Sequence, residues 1–166
     1  PDVKYNENEI INLLEITLNL RDVYRYSQLN LNIPENVLFH SYVIAVITII
    51  FADYLNKELN EEFDLYEIIC KALFHDFPEY TGNEIITQIK NYNEITKKMF
   101  AEIEEADEAI LENKIGKDLY NIILNHKDKK EGYITILLDK ILGIMKLLIE
   151  SVYMGNFTNI KATNSI

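Results

Sequence analysis

A single cysteine, Cys70, in 166 residues leaves no intramolecular disulfide to be formed, and its place in an apolar helical pattern reads as a buried, inert thiol. Nothing in the cysteine usage calls for an oxidising compartment, so the cytoplasm is the expected location. Tryptophan is absent, and only three prolines and five glycines punctuate the chain. Long elements joined by short loops are therefore expected, with no low-complexity tract and no internal repeat. Basic charge is also scarce: 16 Lys and Arg against 27 Asp and Glu give a formal net charge of −11 and an isoelectric point near 4.7. Such a surface repels nucleic-acid backbones and anionic membranes, which excludes both as expected partners. A small phosphorylated ligand stays possible, because a metal and a few cations can meet its charge locally. No leader pattern is read at the start of the chain. The longest apolar run, "YVIAVITIIFA" at 42–52, is shorter than the roughly 20 residues a bilayer requires and is expected to be a buried central helix. The "NFT" at 156–158 fits a glycosylation acceptor only by chance in a cytoplasmic chain.

What the chain does have is 48% hydrophobic and 26% charged residues, ordinary globular composition in a length suited to one domain over 1–166. Its period is helical nearly throughout. Residues 7–21 place Ile10, Leu13, Leu14, Leu18 and Leu20 in an apolar stripe. A loop rich in Asn and Gln, 27–33, leads to Pro34, which suits the first turn of a helix. From 35 to 57 the chain is apolar on almost all sides, as in a helix surrounded by others. Helices are expected at 62–75, 93–114, 117–126 and 131–153, with loop and a short helix at 81–93 and a break at Gly116. In 93–114 the stripe is Ile95, Met99, Ile103, Ala106 and Ile110; in 131–153 it is Ile134, Leu137, Leu138, Ile141, Leu142, Met145, Leu148 and Val152. No alternating strand is found. The expected fold is all-α, a single-domain bundle of six or seven helices.

Four polar side chains interrupt this apolar pattern. His40 lies within "NVLFHSYVIAV", His75 and Asp76 close "KALFHDFPEY", and Asp139 lies within "ITILLDKILGIM". Pro78 is expected to hold Phe77 extended and stop the helix near Asp76. The His-Asp pair alone suits a packed core histidine beside a solvated aspartate as well as it suits half of a metal site. His40 and Asp139 on separate core helices favour the metal. A buried, unpaired Asp139 is costly and needs a cation or a hydrogen-bond network. Two neutral imidazoles with two carboxylates suit one Mn²⁺, Co²⁺, Fe²⁺ or Zn²⁺ with positions left for water and substrate.

The pattern H…HD…D resembles the HD-domain metal-dependent phosphohydrolases. Within them, three segments are similar to the 5′-deoxynucleotidase branch: "RYSQLNLNIPENVLFHS" (25–41), "ALFHDFPEYTG" (72–82) and "DKILGIMKLLIE" (139–150). The likeness extends over roughly 18–156. It implies the HD-domain fold and one divalent metal ion (Mn, Co, Fe, Zn or Mg) held by His40, His75, Asp76 and Asp139. It further implies Glu79 as the catalytic carboxylate, with Arg25 and Lys90 supplying cations to the substrate phosphate. Tyr26 stands where that branch commonly has tryptophan beside the sugar. The branch's second acidic position falls on Asn83 when aligned through Thr81 and Gly82, and on Glu84 when aligned from His75 without a gap. His126 reads either as a near-site residue or as a plain histidine at a helix C-terminus.

The implied activity is removal of phosphate from deoxyribonucleoside 5′-monophosphates by a protein that the resemblance makes a homodimer. A deoxynucleoside triphosphohydrolase of the small HD type is the alternative. In a different class, a non-catalytic helical module would bind a nucleotide or a partner protein through a degenerate site, a reading that Asn83 and Tyr26 keep open.

Overall fold

A computed structural model of the chain describes residues 6–27, 29–81, 92–124 and 129–156. Among them are six α-helices: α1 (Glu7–Asn19), α2 (Val37–Glu58), α3 (Leu65–Phe74), α4 (Glu94–Ile115), α5 (Lys117–Leu124) and α6 (Lys130–Val152). Short polar side chains start them. Asn6 caps α1 in a reciprocal box with Glu9, Asn36 accepts from the Phe39 amide at the head of α2, Asp64 accepts from Tyr66 and Glu67, and Asn93 pairs with Thr96. Each satisfies amides that the first turn leaves without an intrahelical acceptor. Gly116 joins α4 to α5 at φ +80°, ψ 152°, a backbone region essentially closed to other residues.

Two local expectations give way. Pro34 does not enter the first turn of α2, because Asn36 is the better cap; Glu35–Asn36 (β2) instead pairs antiparallel with Tyr24–Arg25 (β1), setting Arg25 opposite Glu35. Strands of two residues are too short to show an alternation in sequence. Phe77 is not extended either. Phe77–Thr81 winds into a 3-10 helix, with the Glu79 amide donating to the Asp76 carbonyl at 3.0 Å. Pro78 sits early in that turn, where its missing N–H removes no bond. Phe77 thereby enters the core, edge-on to Phe74 at 4.7 Å.

The core has three parts. Ile16, Leu20, Val37, Phe77, Leu111 and Ile115 join α1, α2, α4 and the Phe77 turn; Ile44, Ala45 and Ala72 hold α2 against α3; Ala52, Ile68, Ile134 and Leu138 join α2 and α3 to α6. The expected stripes are corrected in register. α1 buries Ile16, with Leu20 buried just beyond its end, while Ile10, Leu14 and Leu18 are exposed, and α4 buries Phe100, Leu111 and Ile115 while Ile95, Met99 and Ile110 are exposed. α6 presents Ile134, Thr135, Leu138, Gly143, Leu147 and Ser151 inward, leaving Leu137, Ile141, Met145, Leu148 and Val152 outside. These helices carry apolar residues on more than one face, and small residues decide which face a neighbour can approach.

The same holds for α2. His40, Ser41, Ile44, Ala45, Thr48 and Ala52 are buried, but Phe39, Tyr42, Ile50 and Tyr54 are exposed, so the helix is not enclosed on all sides. At 22 residues it is also long and apolar enough to cross a membrane, which the run 42–52 understated. Its buried stripe packs on α3 and α6 and carries His40, the pattern of a core helix.

Candidate metal centre

Four elements converge where the hairpin meets the first turn of α2. The strand pair presents Arg25 and Glu35, α2 presents His40, the end of α3 presents His75 and Asp76, and α6 presents Asp139. His75 is the C-cap of α3, and the tighter 3-10 turn begins at Phe77; at this junction ligand atoms of both His75 and Asp76 lie close to one another and to those of His40.

The histidines are oriented from behind. The His75 Nδ1 lies 2.9 Å from the Ala72 carbonyl oxygen, and the His40 Nδ1 lies 3.0 Å from Glu35 Oε1. Carbonyl and carboxylate oxygens accept, so each Nδ1 donates to its partner, and each Nε2 is the nitrogen left to coordinate in the neutral imidazole. The His75 Nε2 lies 3.2 Å from Asp76 Oδ2, and the His40 Nε2 lies 2.9 Å from Asp139 Oδ1 and 3.7 Å from Asp76 Oδ2. Both Nε2 atoms are buried, and neither is aligned for a hydrogen bond with any partner among the described residues. Ligand atoms of His40, His75 and Asp76 all lie within 4.8 Å of one another. This His/His/Asp cluster is capable of holding one divalent ion, and its paired imidazoles suit a first-row transition metal.

Charge points the same way. The Arg25 guanidinium hydrogen-bonds Asp76 through Nη1 and Asp139 through Nη2 at 3.1 Å, with Nε 3.8 Å from Glu35. Burial works against its charge, but Asp76, Asp139 and the nearby Glu79 raise its pKa further above the usual range. Burial opposes ionisation of Asp76 too, yet His75 and Arg25 hold that carboxyl well below its ordinary value. Asp139 and Glu35 are lowered in the same way, against burial, by His40 and Arg25. Burial would lower His75; the Asp76 carboxylate overrides it and lifts the imidazole to about 9. Four carboxylates thus surround one permanent cation, an excess of negative charge that a divalent ion offsets.

Tyr26 follows Arg25 in the left-handed region at φ +57°, which is unusual for a bulky side chain, with its ring 5.5 Å from the guanidinium. Glu79 lies one turn beyond Asp76 on the 3-10 helix, close enough for its charge to act on Arg25. The sequence motifs therefore come together at His40, His75, Asp76, Asp139, Arg25, Tyr26 and Glu79. Asn83, Glu84, Lys90 and His126 lie outside the described residues.

Two carboxylates had no role assigned from sequence. Glu35 sits behind His40, and the only hint was its place in "PENVLFHS". Glu150 is fully buried on α6 and accepts from the Asn32 and Ile33 amides at 2.8 and 2.9 Å. Lys146 donates to the Ile33 carbonyl at 2.7 Å. Together they fasten the loop that leads into Glu35.

Comparison with known proteins agrees with this geometry. The profile of the family described as 5′-deoxynucleotidase YfbR-like matches residues 12–165. The chain is 29% identical over 128 residues to the 5′-deoxynucleotidase VP0926 of Vibrio parahaemolyticus, a match over 74% of this chain and 66% of that one, so it spans just under two thirds of that relative's length. Among solved structures, it is similar to an HD-domain phosphohydrolase from Listeria innocua, with a TM-score of 0.79, 23% identity and coverage of 94% of this chain and 75% of that one. It is also similar to a conserved hypothetical protein from Pyrococcus furiosus, with a TM-score of 0.74, 22% identity and coverage of 93% and 90%. These two likenesses establish a mostly helical, HD-domain-like fold.

Proposed function

The chain belongs to the 5′-deoxynucleotidase YfbR-like family of HD-domain metal phosphohydrolases, and from that premise we propose that it hydrolyses deoxyribonucleoside 5′-monophosphates to deoxynucleoside and orthophosphate. His40, His75 and Asp76, with Asp139 as a fourth ligand, would hold one divalent ion. A bound ion supplies Lewis acidity, which activates water and polarises a phosphoryl oxygen. Glu79 orients the attacking water and takes its proton. The water oxygen bonds to phosphorus, the bond from phosphorus to the 5′ oxygen breaks, and that oxygen leaves with a proton as the nucleoside hydroxyl. Arg25, beside Asp76 and Asp139, would supply positive charge to the substrate phosphate, with Lys90 as a second cation. Tyr26 lies against the sugar, and Asn83 or Glu84 stands at the second acidic position.

The observation that carries this reading is the pair of buried imidazole Nε2 atoms facing one set of carboxylates. Product analysis with added Mn²⁺ or Co²⁺ tests it. Orthophosphate from monophosphates supports the nucleotidase, tripolyphosphate from triphosphates supports the small HD triphosphohydrolase, and metal uptake without turnover leaves a binding module. Glu79→Ala is expected to lose turnover and keep its metal; full turnover in that variant removes Glu79 from the mechanism.

The proposal includes a cytoplasmic homodimer. Support for pairing comes from the exposed Phe39, Tyr42, Ile50 and Tyr54 of α2 and from an apolar groove beside α1 lined by Leu14, Leu38 and Phe39. Light scattering should then give about twice the 19.4 kDa chain mass, and a monomer mass would remove this part.

A further inference from the structure

We propose that Glu35 is a positioning residue of the metal centre, fixing the His40 imidazole from behind and tethering Arg25 beside it. The inference rests on the metal-binding reading above and extends it to a residue outside the ligand set.

The two histidines present the same Nε2 face but obtain their orientation differently. At the end of α3 the last carbonyls lack intrahelical donors, so the Ala72 carbonyl is available to His75 from its own helix. His40 is in the first turn of α2, where the unsatisfied groups are amides, which can only donate. An acceptor for its Nδ1–H must therefore come from outside the helix. Strand β2 supplies it, one residue before the Asn36 cap, with Glu35 Oε1 at 3.0 Å.

Glu35 is not itself a ligand. It meets the Nδ1 edge of His40, opposite the Nε2 edge that faces Asp76 and Asp139. A carboxylate on the remote nitrogen of a ligating histidine fixes its tautomer and ring angle and raises its basicity. The same Oε1 lies 3.8 Å from Arg25 Nε, and the strand register sets Arg25 directly opposite. Glu35 can thus hold the Arg25 stem in place beside His40. Its own placement is secured two and three residues upstream, where Glu150 grips the Ile33 and Asn32 amides.

The experiment is a calorimetric Co²⁺ titration of the full chain and of Glu35→Ala and Glu35→Gln, with the melting temperature of each recorded without metal. Glu35→Ala is expected to bind Co²⁺ about 10–100-fold more weakly. Glu35→Gln, whose amide oxygen still accepts from Nδ1–H, should fall between the two. In ¹⁵N-histidine-labelled, Zn²⁺-loaded protein, a slowly exchanging His40 Nδ1–H should be present in the wild type and lost in Glu35→Ala, a signature that mere loosening of the hairpin does not produce. Wild-type affinity in Glu35→Ala overturns the inference; if that variant does not fold, wild-type affinity in Glu35→Met, which keeps the length but has no oxygen to accept from Nδ1–H, overturns it instead. Failure of the monophosphatase reading appears in the product analysis and leaves these affinities unchanged. A wild-type chain that takes up no metal removes the metal centre and this inference together.

Discussion

Asp139 and Glu150 are acids three turns apart on α6, roughly 16 Å by helical rise, and the fold treats them in opposite ways. Glu150 has no exposed surface, and both its oxygens are met by amides of one loop, with Lys146 3.7 Å away. Asp139 joins Asp76, Glu35 and Glu79 around a single guanidinium, beside two imidazole nitrogens without an aligned partner among the described residues. The first group is complete as it stands; the second still demands a cation. A buried carboxylate is therefore no sign of function in itself. The informative quantity is the demand left over once hydrogen bonds and charges have been matched.

Breaking each group should separate the two roles. Asp76→Ala removes one of the residues proposed to hold the ion, and turnover should fall by roughly 10³-fold or more, by analogy with the loss of other direct transition-state contacts. The rise in melting temperature that metal produces in the wild type should disappear with it, which a thermal melt with and without Co²⁺ would show. Glu150→Ala should leave metal stoichiometry at the wild-type value but lower stability by about 2–4 kcal/mol, since two loop amides lose a charged, buried acceptor. At this chain length that corresponds to roughly 5–15 °C in melting temperature. An unchanged melting temperature would show that the loop does not depend on the latch.

The smallest effect sharpens the comparison through pH. Without metal, His75 titrates near 9 in the folded chain against about 6.5 unfolded. A raised folded pKa adds stability that is fully present below pH 6.5 and is lost as pH rises through 9. The shift is on the order of 3 kcal/mol at most. Denaturant melts of metal-free protein should therefore show declining stability between pH 6.5 and 9, and His75→Gln should abolish that decline. Because a ligating imidazole must be neutral, metal affinity should rise over the same interval. A flat stability profile in the wild type would contradict the ion pair between His75 and Asp76.

Much of the site was legible because its residues break apolar helical patterns. His40, His75, Asp76 and Asp139 each stand out against leucines and isoleucines, and Pro78 marks the end of α3 where the pair sits. The hairpin was not legible, since two residues per strand carry no period. Glu35 and Glu150 were hidden for a related reason. Their partners are a ring nitrogen and loop amides, and neither is encoded by spacing. The helix stripes were half legible: α1, α4 and α6 have apolar residues on several faces, and the faces chosen depend on small residues such as Gly143 that allow close approach. Phe77 entered the core because a 3-10 turn accommodated the proline expected to hold it extended.

The central claim is that His40, His75 and Asp76 hold one divalent ion. Its most direct test is the stoichiometry of Co²⁺ binding to the full chain by calorimetry, measured beside His75→Ala and Glu150→Ala. One ion per chain, lost in His75→Ala and kept in Glu150→Ala, is the predicted result. No binding to the wild type, or binding unchanged by His75→Ala, would contradict the account.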